Sequence, residues 1–119
     1  MGRLVDALKI KGKDPEEIIR DDIIRFMTLR GWWTKIMVGN KFQSGVPDLY
    51  TCNKRYGSRW IEAKNPKKYS FTPAQMIDFP AMSAQGVGIW ILVSGSEVEY
   101  NKLFGPPNWQ SYLMKGFKG

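Results

Sequence analysis

Asp48, Glu62 and Lys64 are two carboxylates and a lysine at a spacing that lets all three act on one atom. They lie in the stretch 45–64, GVPDLYTCNKRYGSRWIEAK, where apolar-aromatic runs at 48–52 and 58–64 flank a turn-like segment at 53–57. The pattern predicts a β-hairpin with a loop of about five residues. Centring that loop on Arg55 sets Asp48 opposite Glu62 and Tyr50 opposite Trp60. Side chains alternate faces, so Asp48, Glu62 and Lys64 share one face while Leu49, Ile61 and Ala63 point the other way. Cross-strand partners lie roughly 5 Å apart at Cβ, close enough for two carboxylates to share a cation.

The chain has no histidine, which excludes histidine general bases, His–Cys nucleophile pairs and the usual zinc sites. A hydrolytic site must then activate water by another route. A divalent cation does so by lowering the pKa of bound water and offsetting charge on a pentavalent phosphate. Mg²⁺, a hard cation, takes oxygen ligands; Asp48, Glu62 and the Ala63 backbone carbonyl would supply them. Lys64 would position the attacking water or stabilise negative charge. A single exposed acid–lysine pair across two strands is usually surface decoration, worth well under about 1 kcal/mol. The set following Pro47, with basic loops nearby, is more specific than any one member.

Those loops fit the overall charge. The 119 residues carry 18 Lys+Arg against 11 Asp+Glu, a net charge of +7, which favours a polyanionic partner. Lys41, Lys54, Arg55, Lys67 and Lys68 are the candidate phosphate contacts. An acidic membrane surface would call for an amphipathic anchor, and none is visible. The length suits one domain, expected over 1–119 with its core at about 15–93. Hydrophobic content of 43% and charged content of 24% are those of a globular chain. Cys52 is the lone cysteine, so an intrachain disulfide is impossible and a cytoplasmic setting is the natural expectation. No apolar run approaches the roughly 18 residues of a membrane span, and the charged N-terminus is no signal peptide.

The elements that must position the three residues can be read in order. Residues 1–13 read as a short amphipathic helix, an arm that packs on a partner subunit, or a partly ordered basic tail. Asp14 as N-cap and Pro15 at the first position open a helix running to Arg30 and stopped by Gly31. Ile18, Ile19, Ile23, Phe26, Met27 and Leu29 make its apolar face. Glu16 lies at the edge of that face and Asp22 within it, whereas Glu17 and Asp21 point nearly opposite. A strand is expected at 32–38, a loop at 39–45, then the hairpin and a basic loop at 65–70. Thr72-Pro73-Ala74-Gln75 is a capping box opening a helix over 71–85, which Pro80 should kink or interrupt. Residues 87–93 read as a strand buried on both faces. Beyond them, 94–119 is broken at 105–107 and carries Trp109, Tyr112, Leu113 and Phe117, a packing or interface segment. The order α-β-β-β-α-β predicts an α/β domain with a small mixed sheet flanked by helices.

Gly45-Val46-Pro47-Asp48 followed by Ile61-Glu62-Ala63-Lys64 is similar to the PD…(D/E)xK motif of restriction-endonuclease-like nucleases. With Arg30-Gly31-Trp32 closing the first helix and Thr72-Pro73-Ala74-Gln75 downstream, the chain resembles the virus-type replication–repair nuclease (VRR-NUC) family over about 15–93. The resemblance implies a Mg²⁺- or Mn²⁺-dependent endonuclease with Asp48 and Glu62 as metal ligands and Lys64 as the catalytic lysine. It adds an acid from the first helix near the metal. Its register falls on Glu16 or Glu17, and the helical face favours Glu16. Gln75 matches the family's glutamine, and the capping box accounts for it equally well. Short, stand-alone members resemble viral Holliday junction resolvases and act as homodimers. A phage source, in the cytoplasm of a bacterial host, would fit. The leading reading is a nuclease of branched DNA such as four-way junctions; the alternatives are a nuclease acting on flaps, nicks or duplex, and a non-catalytic DNA-binding module on the same fold.

Overall fold

In the computed structural model, residues 14–37 and 45–116 are described; the expected arm at 1–13, Lys41 with most of its loop, and Phe117 lie outside them. Helix α1 (Pro15–Leu29) starts as its sequence dictates, with the Asp14 carboxylate accepting from Glu16 N at 2.8 Å and Pro15 at the first position. It ends at Gly31, whose φ of +86° is open to glycine at little cost. There Gly31 N donates to the Thr28 carbonyl and Trp32 N to the Met27 carbonyl, closing the last turn. Ile18, Ile19, Ile23 and Met27 are buried as the periodicity predicts. Leu29 is not: it is 78% exposed, because it shares the azimuth of Ile18 but is the helix's last residue. Asp22, within the apolar face, is buried and accepts from Gly95 N at 3.2 Å.

Four strands follow in the order β1 (Trp33–Ile36), β2 (Leu49–Asn53), β3 (Gly57–Ala63) and β4 (Ile89–Leu92), neighbours in the sheet as in the chain. The β1–β2 and β2–β3 pairs are antiparallel and β3–β4 is parallel. Tyr50 pairs with Trp60 and Leu49 with Ile61, the register expected of the hairpin. Its loop is tighter than expected, since Asn53 pairs with Gly57 and only Lys54, Arg55 and Tyr56 turn the chain. The Asn53 side chain causes this by accepting from Arg55 N at 2.8 Å and Tyr56 N at 3.3 Å.

A parallel partner for β3 requires a crossover, and helix α2 (Pro73–Ala84) supplies it. Thr72 Oγ1 accepts from Gln75 N and Gln75 Oε1 accepts from Thr72 N, both at 3.1 Å, so the capping box forms in full. Thr72→Ala should therefore lower stability by about 1 kcal/mol, seen as a lower urea midpoint at unchanged slope. Pro80 does not interrupt α2 as expected. It sits on the exposed side of the helix, where water can serve the carbonyl deprived of a donor.

The sheet is covered on both sides. Under α1 lie Leu49, Ile61, Ala63, Trp90 and Leu92. On the other face Phe79 of α2 packs with Ile89 and Ile91. The segment after β4 folds into helix α3 (Glu97–Asn101), a 3-10 turn (Lys102–Phe104) and helix α4 (Trp109–Gly116). It places Leu103 in the first core and Trp109 in the second. Between them Asn108 grips the free edge of β4, accepting from Ile91 N at 2.6 Å and donating to the Ile91 carbonyl at 3.1 Å. The result is an α/β domain with a small mixed sheet between helical layers. Among the described residues no helix is long and apolar enough to cross a membrane.

Candidate active site

The candidate side chains meet where β2 begins and β3 ends. Pro47 and Asp48 lead into β2, and the chain before them runs close under α2. Gly45 makes that approach possible: a Cβ there would overlap the Asp78 carboxylate and come within 2.9 Å of the Ala74 carbonyl. At Asp48 the two strands splay, and side chains take over the ladder. Asp48 N donates to Glu62 Oε1 at 3.1 Å, and Ala63 N donates to Asp48 Oδ2 at 3.0 Å. A strand residue directs its N–H and C=O to the same edge. The Ala63 carbonyl therefore faces the Asp48 side.

Glu62, Lys64 and Gln75 form a closed network with almost no water contact, at 2%, 3% and 5% exposure. Lys64 Nζ lies 3.1 Å from Glu62 Oε2 and donates to the Ser70 carbonyl at 2.7 Å and Gln75 Oε1 at 3.3 Å. Gln75 Nε2 donates to Glu62 Oε2 at 2.8 Å. Gln75 caps α2 as expected, and the same side chain reaches the acid–lysine pair. Glu16, half-buried at the start of α1, accepts from Asn65 N at 3.4 Å, just beyond Lys64. Glu17 makes no such contact among the described residues.

Electrostatics define this corner more sharply than distance does. Burial, then the charge of Asp48, push the Glu62 carboxyl up to about 7, even though Lys64 and Gln75 both favour its ionised form. A carboxylate 3.1 Å from an ammonium would ordinarily titrate low, so desolvation and like charge outweigh a short ion pair here. Asp48 is also raised, mainly by burial, against the Ala63 amide, Lys64 and Arg20. Glu16 is raised by burial, opposed by Lys64 and the Asn65 amide. Three acids are crowded in poorly hydrated space.

Whether the corner suits a divalent cation turns on these donors. They are oxygen only, and a cation would relieve the repulsion and desolvation that raise them. As the side chains stand, no group of three Asp, Glu, Cys or His among the described residues is close enough to hold a metal ion. Both Glu62 oxygens already accept protein hydrogen bonds. The donor chemistry fits, and Glu62 would have to exchange a partner to take part.

The basic residues divide into two places. Lys67 and Lys68 are exposed in the loop directly after Lys64. Lys54 and Arg55 are exposed at the hairpin tip, on the order of 20 Å from Asp48 by strand rise, so they do not flank the carboxylates. Sequence reasoning did not single out Arg20, whose charge opposes the rise of Asp48 and whose Nε is buried without a partner among the described residues. Its signal was the spacing of four from Glu16, which puts both on one helical face.

No family model and no curated protein matches the sequence. Among solved structures, one described as a VRR_NUC domain matches with a TM-score of 0.53 at 16% identity, covering 87% of this chain and 97% of that one. The likeness is one of fold: the chain shares the architecture of that VRR_NUC domain, a mixed sheet between helices. The sequence resemblance and the structural likeness meet on that same fold.

Proposed function

We propose that this chain is a metal-dependent DNA endonuclease of the VRR-NUC family, structure-specific on branched DNA such as four-way junctions and acting as a homodimer. The observation that carries the reading is the convergence of Glu16, Asp48, Glu62, Lys64 and Gln75 at one corner of a VRR_NUC fold. Asp48, Glu62, Glu16 and the Ala63 carbonyl would hold Mg²⁺ or Mn²⁺. Bound there, the cation would lower the pKa of a water and offset charge on the scissile phosphate. Lys64 supplies a fixed positive charge to the same corner. Its ammonium donors are taken by Glu62, Ser70 and Gln75, so its orientation is set before any substrate arrives. Gln75 holds Glu62 and Lys64 in register. Lys67 and Lys68, beside the site, are suited to the phosphates adjoining the cut, and in-line attack would leave a 5′-phosphate and a 3′-hydroxyl.

The test is cleavage of junction, flap, single-stranded and linear duplex substrates with Mg²⁺ or Mn²⁺ and with EDTA, beside a solution mass measurement. Cutting should need the cation, favour the junction and vanish in Asp48→Ala, which should still bind DNA. Equal cutting by Asp48→Ala and the wild type would overturn the assignment. A monomer indifferent to branching would remove only the junction and dimer claims.

A further inference from the structure

The sheet face that carries Asp48 and Glu62 continues, away from the site, into an aromatic ladder. The pairings of Cys52 with Trp33, and of Tyr50 with both Lys35 and Trp60, put Trp33, Lys35, Tyr50 and Trp60 on that face. Trp33 meets Tyr50 edge-on at 6.4 Å between centroids, and Tyr50 meets Trp60 at 4.9 Å. Trp60 borders the core under α2 and Tyr50 is half-buried, but Trp33 is 56% exposed. Beside Trp33 lies an open depression of about 720 Å³, lined also by Cys52, Asn53, Lys54, Arg55 and Ser58. By strand rise the ladder starts at Tyr50, roughly 7 Å from Asp48, and reaches its exposed end at Trp33, opposite Cys52, roughly 13 Å away.

We propose that this ladder is a stacking platform for unpaired bases, and that the substrate is therefore DNA presenting unpaired or splayed nucleotides a short way along the strand from the scissile phosphate. The proposal rests on the nuclease reading and narrows its substrate class. Cross-strand aromatic pairing alone would be served by rings lying flat on the sheet. It does not require a tryptophan left more than half in water beside a depression that a base could enter. Charge selects the occupant. Lys35, Lys54 and Arg55 surround the ladder and are exposed, and the only acids in β1, β2, β3 or at their ends are Asp48 and Glu62 of the site. A second copy docking through this patch would bring like charges together, since a two-fold contact pairs a patch with itself. A nucleic acid strand meets the cations with its phosphates and the rings with its bases. The hairpin-tip cations, too far from the carboxylates to serve the reacting phosphate, lie at the distal end of this track.

The test uses the Asp48→Ala protein, so that binding is read without cleavage. Its affinity is measured by fluorescence anisotropy for a flap or junction carrying unpaired nucleotides and for a linear duplex. A 2-aminopurine in the unpaired segment reports stacking directly. Adding Trp33→Ala should weaken binding to the unpaired substrates roughly tenfold to a hundredfold, leave the duplex little changed and abolish the 2-aminopurine quench. Trp33→Phe should restore most of both signals. Equal loss on all DNAs, no loss on any, or a change of solution mass on Trp33→Ala would overturn the platform, the last pointing to a contact between copies. Failure of the parent protein to bind any DNA would instead overturn the nuclease reading on which the platform rests.

Discussion

A Lys64→Met variant is expected to lose about 3–5 kcal/mol of stability at pH 8, a large part of what a domain of this size possesses. The Lys64 ammonium is 3% exposed and is, among the described residues, the only cation on Glu62 Oε2, which is equally hidden from water. Removing it makes Glu62 take a proton, which costs about 1 kcal/mol at pH 8 for a carboxyl at about 7, and deprives the Ser70 carbonyl and Gln75 Oε1 of a donor, about 1–3 kcal/mol each. Below pH 7 the loss should shrink, because Glu62 can escape by taking a proton. Glu62→Gln with Lys64→Met, an uncharged pair of similar shape, should recover the part of the loss that comes from the unpaired acid, but not the donors taken from Ser70 and Gln75. Urea unfolding of the two single variants and the double completes the cycle, with a coupling on the order of 2 kcal/mol expected. Wild-type stability of Lys64→Met at pH 8 would sink this account of the pair. On the proposed function, the double variant should be as inactive as either single one whatever its stability, since neither the acid nor the lysine is left at the corner.

That pair was legible in the sequence because its placement rests on local rules. Counting from Arg55 sets the hairpin register, and alternation then puts Asp48, Glu62 and Lys64 on one face whatever the rest of the chain does. Gln75 was legible as a cap for the same reason, since Thr72 and Gln75 lie three apart at a helix start. What local rules do not give is where a helix end or a loop meets the sheet. Leu29 has the right azimuth and the wrong axial position. Pro80 breaks the helical rule on a side open to water, so the break does not happen. Glu99 lies three residues after Ser96, the spacing of a capping box, yet the preceding Ser94-Gly95 and a helix of five residues hide it. Asn108, which holds the free edge of β4 through both of its amide atoms, has no signature in its neighbours. The separation of Lys54 and Arg55 from the carboxylates did follow from the hairpin, because a loop and the open strand ends are opposite by construction.

The metal-free protein should lose roughly 3 kcal/mol of stability as pH rises from about 4.5 to 7, against the usual trend for acidic groups. Glu62 is the main source. Its carboxyl has a pKa raised to about 7 in the folded chain, against 4.5 for an unhindered group. Between those values the native state holds a proton that the unfolded chain has released, so stability is full below the lower value and is lost through the upper one. Asp48 and Glu16 are raised as well and act in the same direction. The window is unusually clean, because no histidine titrates within it. Thermal melts in EDTA across pH 5–8 should fall for the wild type, and the slope should be much flatter for Glu62→Gln; matching slopes would show that another group titrates. A cation bound to the ionised carboxylates reverses the dependence, since it competes with the proton for the same oxygens. Mg²⁺ or Mn²⁺ should raise the melting temperature little at pH 5 and clearly at pH 8, and the gain should disappear in Asp48→Ala. A pH-independent gain, or one that survives in Asp48→Ala, would place the cation elsewhere. On the proposed function, cleavage should switch on over the same pH range in which the metal-free protein weakens, because the protons held by these carboxyls are those a cation must displace.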